Sequence, residues 1–152
     1  MNEFFQLLRK DHKESKSILG QIVEIKENDP KQREELFQKL KEELVPHMKA
    51  EENIFYPPLM AKKETREDVL EGIEEHHVSE LVLKELEKMP KDEDQWGAKM
   101  SVFKELVEHH IKDEESKIFK SAGMALDQEE LQNILTQFQQ EKQKIKNKVA
   151  KT

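Results

Sequence analysis

The sequence predicts an all-α fold: an up-down-up-down four-helix bundle with an additional C-terminal helix. Three observations carry this. Apolar residues recur at alternating spacings of three and four along four long segments and one shorter one. Only four glycines and five prolines occur, most of them between those segments. The charged residues, 39% of the chain, alternate in sign and interleave with regularly spaced Leu, Ile, Val and Phe, as on solvated helix faces rather than in a disordered chain.

Helix one is expected from about Asn2 to Glu27, with Phe5, Leu8, His12, Ser15, Leu19 and Ile22 on one face. Asn28-Asp29-Pro30 closes it and opens the next, Asp29 as N-cap and Pro30 at the first helical position. Helix two spans about Pro30 to Tyr56, with Leu36, Leu40, Leu44, His47, Glu51 and Ile54 on its inner line. Pro46 bends it, and Pro57-Pro58 stops it. Helix three begins near Thr65, capped with Asp68 three residues on, and runs to Met89 before Pro90. Helix four runs from about Asp92, with Gln95 in the matching position, to Ala122, with Gly123 as its stop. Helix five starts from Asp127, with Glu130 at the third position, and carries Leu131, Ile134, Leu135, Phe138 and Ile145. The expected organisation is a single domain over 1–152, the bundle about 2–122 and the C-terminal helix about 127–149.

A net charge of -7 argues against nucleic acid, which needs a basic face; the lysines of the tail are spread as on an exposed helix. The chain has no cysteine, so any metal must be held by nitrogen and oxygen. No apolar window is long enough for a membrane span, and MNEFFQLLRKDHKE is unlike a signal peptide. The expected location is the cytoplasm, with no membrane partner.

HMKAEE at His47 comes back as HIKDEE at His110 within related flanks, so helices two and four are sequence-related. KDHKESKSIL at Lys10 lies over EEHHVSELVL at Glu74, which pairs helices one and three. At a spacing of four, His47 with Glu51 and His110 with Glu114 each project from one helix face one turn apart. His76 and Glu80 repeat that spacing. The inward set His12, His47, Glu51, His76, Glu80, His110 and Glu114 is ligand enough for two ions. Imidazole and carboxylate without thiolate suit iron, manganese, zinc or nickel, and two carboxylate-bridged ions in a four-helix bundle is a geometry of iron and manganese.

The bland alternative makes each histidine a surface residue or a core imidazole bonded to an acid. Against it, all six histidines fall at mid-levels of four helices. Neighbours on a helix point about 100° apart, so usually only one of each doublet can face inward. The line through Glu80 favours His76 over His77, which is nearly as close to Ile73 and Leu70, and the repeat favours His110 over His109, with His77 and His109 remaining the alternatives. Glu52 and Glu115 read as surface charges or as partners behind the ligands, with one of them bridging as the minor alternative. Tyr56 and Trp96 read as packing or capping aromatics, with a redox role for Tyr56 as the minor alternative.

DHKE around His12, HMKAEENIFYP from His47, EEHHVSELVLKEL around His76 and EHHIKDEESKIF from Glu108 together resemble the hemerythrin family, in its bacterial branch of HHE cation-binding domains, over roughly Phe4 to Ala122. The resemblance implies a four-helix bundle holding two non-haem iron ions with an oxo or hydroxo bridge, zinc or manganese being the alternatives. By motif position it makes Glu51 and Glu114 the bridging carboxylates and His12, His47, His76 and His110 the terminal ligands. Oxygen-carrying members have a second histidine on the third helix one turn after the first; here that place reads Glu80. A more anionic set favours the ferric state and disfavours reversible oxygen release. The expectation is a metal- and ligand-binding protein rather than a dedicated enzyme. Its partner would be oxygen, nitric oxide, peroxide or iron itself; oxidase or peroxidase-like turnover and a metal-braced interaction module are the rival readings.

Overall fold

The computed structural model describes residues 2–151, and among them there is no strand. The elements are α1 (Glu3–Ile22), α2 (Pro30–Ala50), a π-helical turn Glu51–Phe55, α3 (Tyr56–Met60), α4 (Lys63–Lys88), α5 (Asp94–Asp113), a second π-helical turn Glu114–Ile118, α6 (Phe119–Ala125) and α7 (Gln128–Lys151). The π turns interrupt no axis, so α2 with α3, and α5 with α6, are each one long rod. Contacts run round a closed ring from α1 to α2, from α3 to α4, from α4 to α5 and from α5 back to α1, and α7 lies against α2 and α1. This is an all-α bundle with a C-terminal helix laid on its first hairpin.

The helix ends follow local chemistry, with some departures from expectation. Asp29 caps α2 by accepting from the Gln32 amide at 3.2 Å. Asp127 and Glu130 cap α7 reciprocally, at 2.8 and 3.1 Å. Helix α1 stops at Ile22 rather than near Glu27, because the Ile25 carbonyl is turned to the Arg33 guanidinium, 3.0 and 3.1 Å away. Pro57-Pro58 does not end the second rod: both fall in the first turn of α3, directly after the π turn, and the helix runs on through them to Met60. Thr65 is no cap. Helix α4 has already begun at Lys63, and the Thr65 hydroxyl donates to the Leu59 and Lys62 carbonyls. No side chain caps α5, which starts at Asp94, and Gly123 is passed through, its φ being negative.

The core is two apolar clusters with a polar layer between them. One contains Phe4, Phe5, Leu8, Phe55, Leu59, Phe119 and, from α7, Leu131 and Phe138. The other contains Ile18, Leu19, Phe37, Leu40, Leu86, Trp96, Met100 and Phe103. Every rod crosses from one cluster to the other. At each crossing it presents buried polar residues: Asp11, His12 and Ser15; His47 and Glu51; His76 and Ser79; His110 and Glu114.

Candidate metal centre

Those polar residues converge as two groups that share both glutamates: His12, His47, Glu51 and Glu114, and Glu51, His76, His110 and Glu114. Within each group the ligand atoms lie within 4.8 Å of one another, the scale on which opposite ligands of one ion stand, about 4 Å apart. His12 Nε2 is 3.1 Å from Glu114 Oε1 and His47 Nε2 is 3.4 Å from Glu51 Oε2. His76 Nε2 is 3.2 Å from Glu51 Oε1 and His110 Nε2 is 3.4 Å from Glu114 Oε2. Each carboxylate therefore offers one oxygen to each group.

Behind every ring stands another carboxylate. The Nδ1 atoms of His12, His47, His76 and His110 lie 2.7, 2.9, 2.9 and 2.7 Å from Glu115, Asp11, Glu52 and Glu75 respectively. A carboxylate can only accept, so Nδ1 carries the proton, and in the neutral ring Nε2 is left with a bare lone pair facing the centre. Four Nε2 atoms converge there. His76 Nε2 and His110 Nε2 stand only 2.9 Å apart, an arrangement that needs a proton or a cation between them. His47 Nε2, Glu51 Oε2 and Glu114 Oε1 are buried with no hydrogen-bond partner, a costly state that a bound cation relieves. The donor set fits a pair of metal ions.

In the metal-free protein, protons take the cations' place. Burial pulls the His47 pKa down, but the Glu51 and Asp11 carboxylates overcome it and raise it to about 10. Burial likewise opposes His110, and Glu114 and Glu75 raise it to about 10. His12 and His76 move up against burial for the same reason. Glu114, though burial pushes it up, is held well below the usual carboxylate range by its contacts with Glu51, His110 and His12.

Glu51 and Glu114 each open a π turn, in which the Tyr56 and Phe119 amides reach back five residues to the Glu51 and Glu114 carbonyls. The extra residue advances the following side chains by about 100°. That carries Phe55 and Tyr56 inside, where both are fully buried. The Tyr56 hydroxyl donates to Glu114 and lies 3.4 Å from Glu51, so a residue expected chiefly to pack or cap touches both shared carboxylates. Burial first, then the two glutamates, push its pKa well above 10, leaving it a phenol donor.

Glu80 is not brought to either group. Its carboxylate pairs with Lys49 at 2.6 Å on a partly exposed face. The buried line of α4 runs Val69, Gly72, His76, Ser79, Leu83 and Leu86, and three residues on from His76 this line selects Ser79. One turn before His76, Gly72 faces the centre; a Cβ there would come within 3.5 Å of the Tyr56 hydroxyl and 3.6 Å of His110 Cε1. Ile118, whose Cδ1 would lie 3.2 Å from that Cβ, and the tyrosine together fill the space a further α4 ligand would need. His77 and His109 are exposed; His109 pairs with Asp113 at 3.1 Å. Ser15, Leu44, Met48, Ser79, Val107 and Ile111 join the four histidines around a cavity of about 10 Å³, room for one very small molecule.

The model of the hemerythrin HHE cation binding domain matches residues 3–122. The chain belongs to that family. It is a cation-binding domain by family, and the four histidines and two glutamates at its centre form two buried groups that could hold a metal ion. A DNA nickase of Nostoc sp. is 22% identical over 143 residues, 94% of this chain. The chain spans about two-fifths of that relative, 40% of its length. No solved structure matches the chain. None of the described helices is long and apolar enough to cross a membrane.

Proposed function

We propose that the protein holds two non-haem iron ions in this layer, joined by an oxo or hydroxo bridge, and binds oxygen, nitric oxide or peroxide beside them. The observation that carries the reading is the convergence of four imidazole Nε2 atoms on two buried carboxylates, each with an unpartnered oxygen. Bound iron supplies a redox-active Lewis acid for a small ligand. His12 and His47 hold one position, His76 and His110 the other, and Glu51 and Glu114 span both. Glu115, Asp11, Glu52 and Glu75 fix the ring orientations. The apolar wall of Leu44, Met48, Val107 and Ile111 restricts access to very small species. Reversible sensing or scavenging fits this better than oxygen transport, since no second histidine from α4 joins the set.

Metal analysis with visible spectra tests the reading. Two irons per chain and the near-ultraviolet bands of an oxo-bridged ferric pair, changing on addition of nitric oxide or azide, are expected. Iron at trace level after loading sinks it, and two zinc or manganese ions in its place would reassign the metal. A second reading, oxidase or peroxidase-like turnover, draws on the Tyr56 phenol beside the shared carboxylates; it requires catalytic rather than stoichiometric consumption of peroxide by reduced protein. A net charge of -7 gives no electrostatic support for carrying over the nickase relative's action on DNA.

A further inference from the structure

The carboxylates behind the histidines form a near-symmetric set, but the cations that compensate them do not. Behind His12, Glu115 pairs with Arg9 at 2.8 Å, and behind His47, Asp11 pairs with Lys142 at 2.8 Å. Behind His76, Lys49 stands 3.8 Å from Glu52 and lies closer to Glu80, at 2.6 Å. Behind His110, the further ion-pair partner of Glu75 is His109, its Nε2 at 3.8 Å. One pair of histidines is therefore backed by carboxylates each with a permanent cation at 2.8 Å, whereas in the other pair Lys49, at 3.8 Å, stands farther from Glu52 and is turned to Glu80.

A carboxylate that accepts Nδ1–H pushes electron density into the imidazole and raises its strength as a ligand. A cation on the same carboxylate withdraws part of that charge and adds positive potential nearby. His12 and His47 should then be the weaker donors, in the more positive half of the centre. Lys142 lies on α7, beyond the family-matched residues 3–122, mostly buried and within 3.4 Å of Glu43 as well. The C-terminal helix thus reaches the centre through Asp11.

Resting on the di-iron reading above, we propose that Arg9 and Lys142 are positioning residues that make the two metal positions unequal, so that a single electron reduces the ion held by His12 and His47 first. The electron comes from an external low-potential reductant. One ferric ion becomes ferrous, and no bond of the chain forms or breaks.

The experiment is a dithionite titration of iron-loaded protein, followed by visible and Mössbauer spectra. Wild type should show two resolved one-electron steps. Lys142→Met should favour the ferric form at the first step about tenfold, close to 59 mV for one electron. Lys142→Arg should restore it. Arg9→Met should shift the first step in the same direction, so the test does not hang on α7 staying docked. Lys146→Met, which removes the same charge from the same helix but reaches only Glu43, at 3.9 Å, should move the first step much less, and Lys49→Met should act on the second. A Lys142→Met titration that superimposes on wild type, or a Lys146→Met shift as large as that of Lys142→Met, overturns the inference while leaving the di-iron centre standing. A chain that takes up no pair of irons removes both.

Discussion

Loading the metal-free protein with a divalent ion should expel protons, and the number expelled reports the state of the cluster. His47 and His110 sit near pKa 10 in the metal-free fold, against an ordinary 6.5, because Glu51 with Asp11 and Glu114 with Glu75 outweigh burial. At pH 7 both rings are imidazolium, and each must lose a proton before it can ligate. With two protons released, apparent affinity should rise about a hundredfold per pH unit between pH 6.5 and 10. The stability of the metal-free protein should run the opposite way. A raised folded-state pKa stabilises fully below the unfolded value of 6.5 and loses that contribution as pH climbs toward 10. The loss is at most on the order of 5 kcal/mol per histidine, less in sum because the carboxylates are shared. Calorimetric titration with zinc, a redox-silent probe, in buffers of different ionisation enthalpy counts the protons; melting curves of the metal-free protein across the same range check the sign. Release of fewer than one proton, with pH-independent affinity, would refute the account.

Four further outcomes are expected. Glu114→Gln should abolish paired metal binding while Glu80→Gln leaves it intact, as metal analysis after dialysis will show. His47→Ala should lower occupancy far more than His109→Ala, and equal effects would overturn the ligand register. Asp11→Ala should weaken metal binding tenfold to a hundredfold, about 1.4–2.7 kcal/mol, without abolishing it. Arg33→Met should cost about 3 kcal/mol in denaturant unfolding with metal content unchanged; its buried guanidinium ties the Ile25, Lys91 and Glu93 carbonyls together and lies over Trp96.

The bundle was legible because apolar periodicity is a property of every turn of every helix, and the residue set His12, His47, Glu51, His76, His110 and Glu114 because a repeated phrase places it at equivalent levels. Glu80 was misplaced for a geometric reason. An inward line alternates steps of three and four, and from His76 the buried step is three, to Ser79. Pattern alone gives no rule for choosing. The π turns left no mark in composition, since they differ from α-helix only in which carbonyl each amide selects; their effect was to move Tyr56 from a helix end into the centre. The carboxylates behind the rings did leave a signal. An acid directly precedes His12 and His76, and a second glutamate follows Glu51 and Glu114, four positions that only a two-hairpin reading would set side by side.

Those four acids show why the duplication matters to the fold. Asp11 on α1 supports His47 on α2, and Glu75 on α4 supports His110 on α5, each within its own hairpin. Glu115 supports His12, and Glu52 supports His76, each across to the other hairpin. Glu51 and Glu114 also reach histidines of both hairpins. Neither hairpin contains a complete site, so every ion bound must draw the two together, and its binding free energy counts toward their association. Between the two apolar clusters, where the metal-free bundle has protons to hold imidazoles against the shared carboxylates, a bound cation would add to what closes the fold.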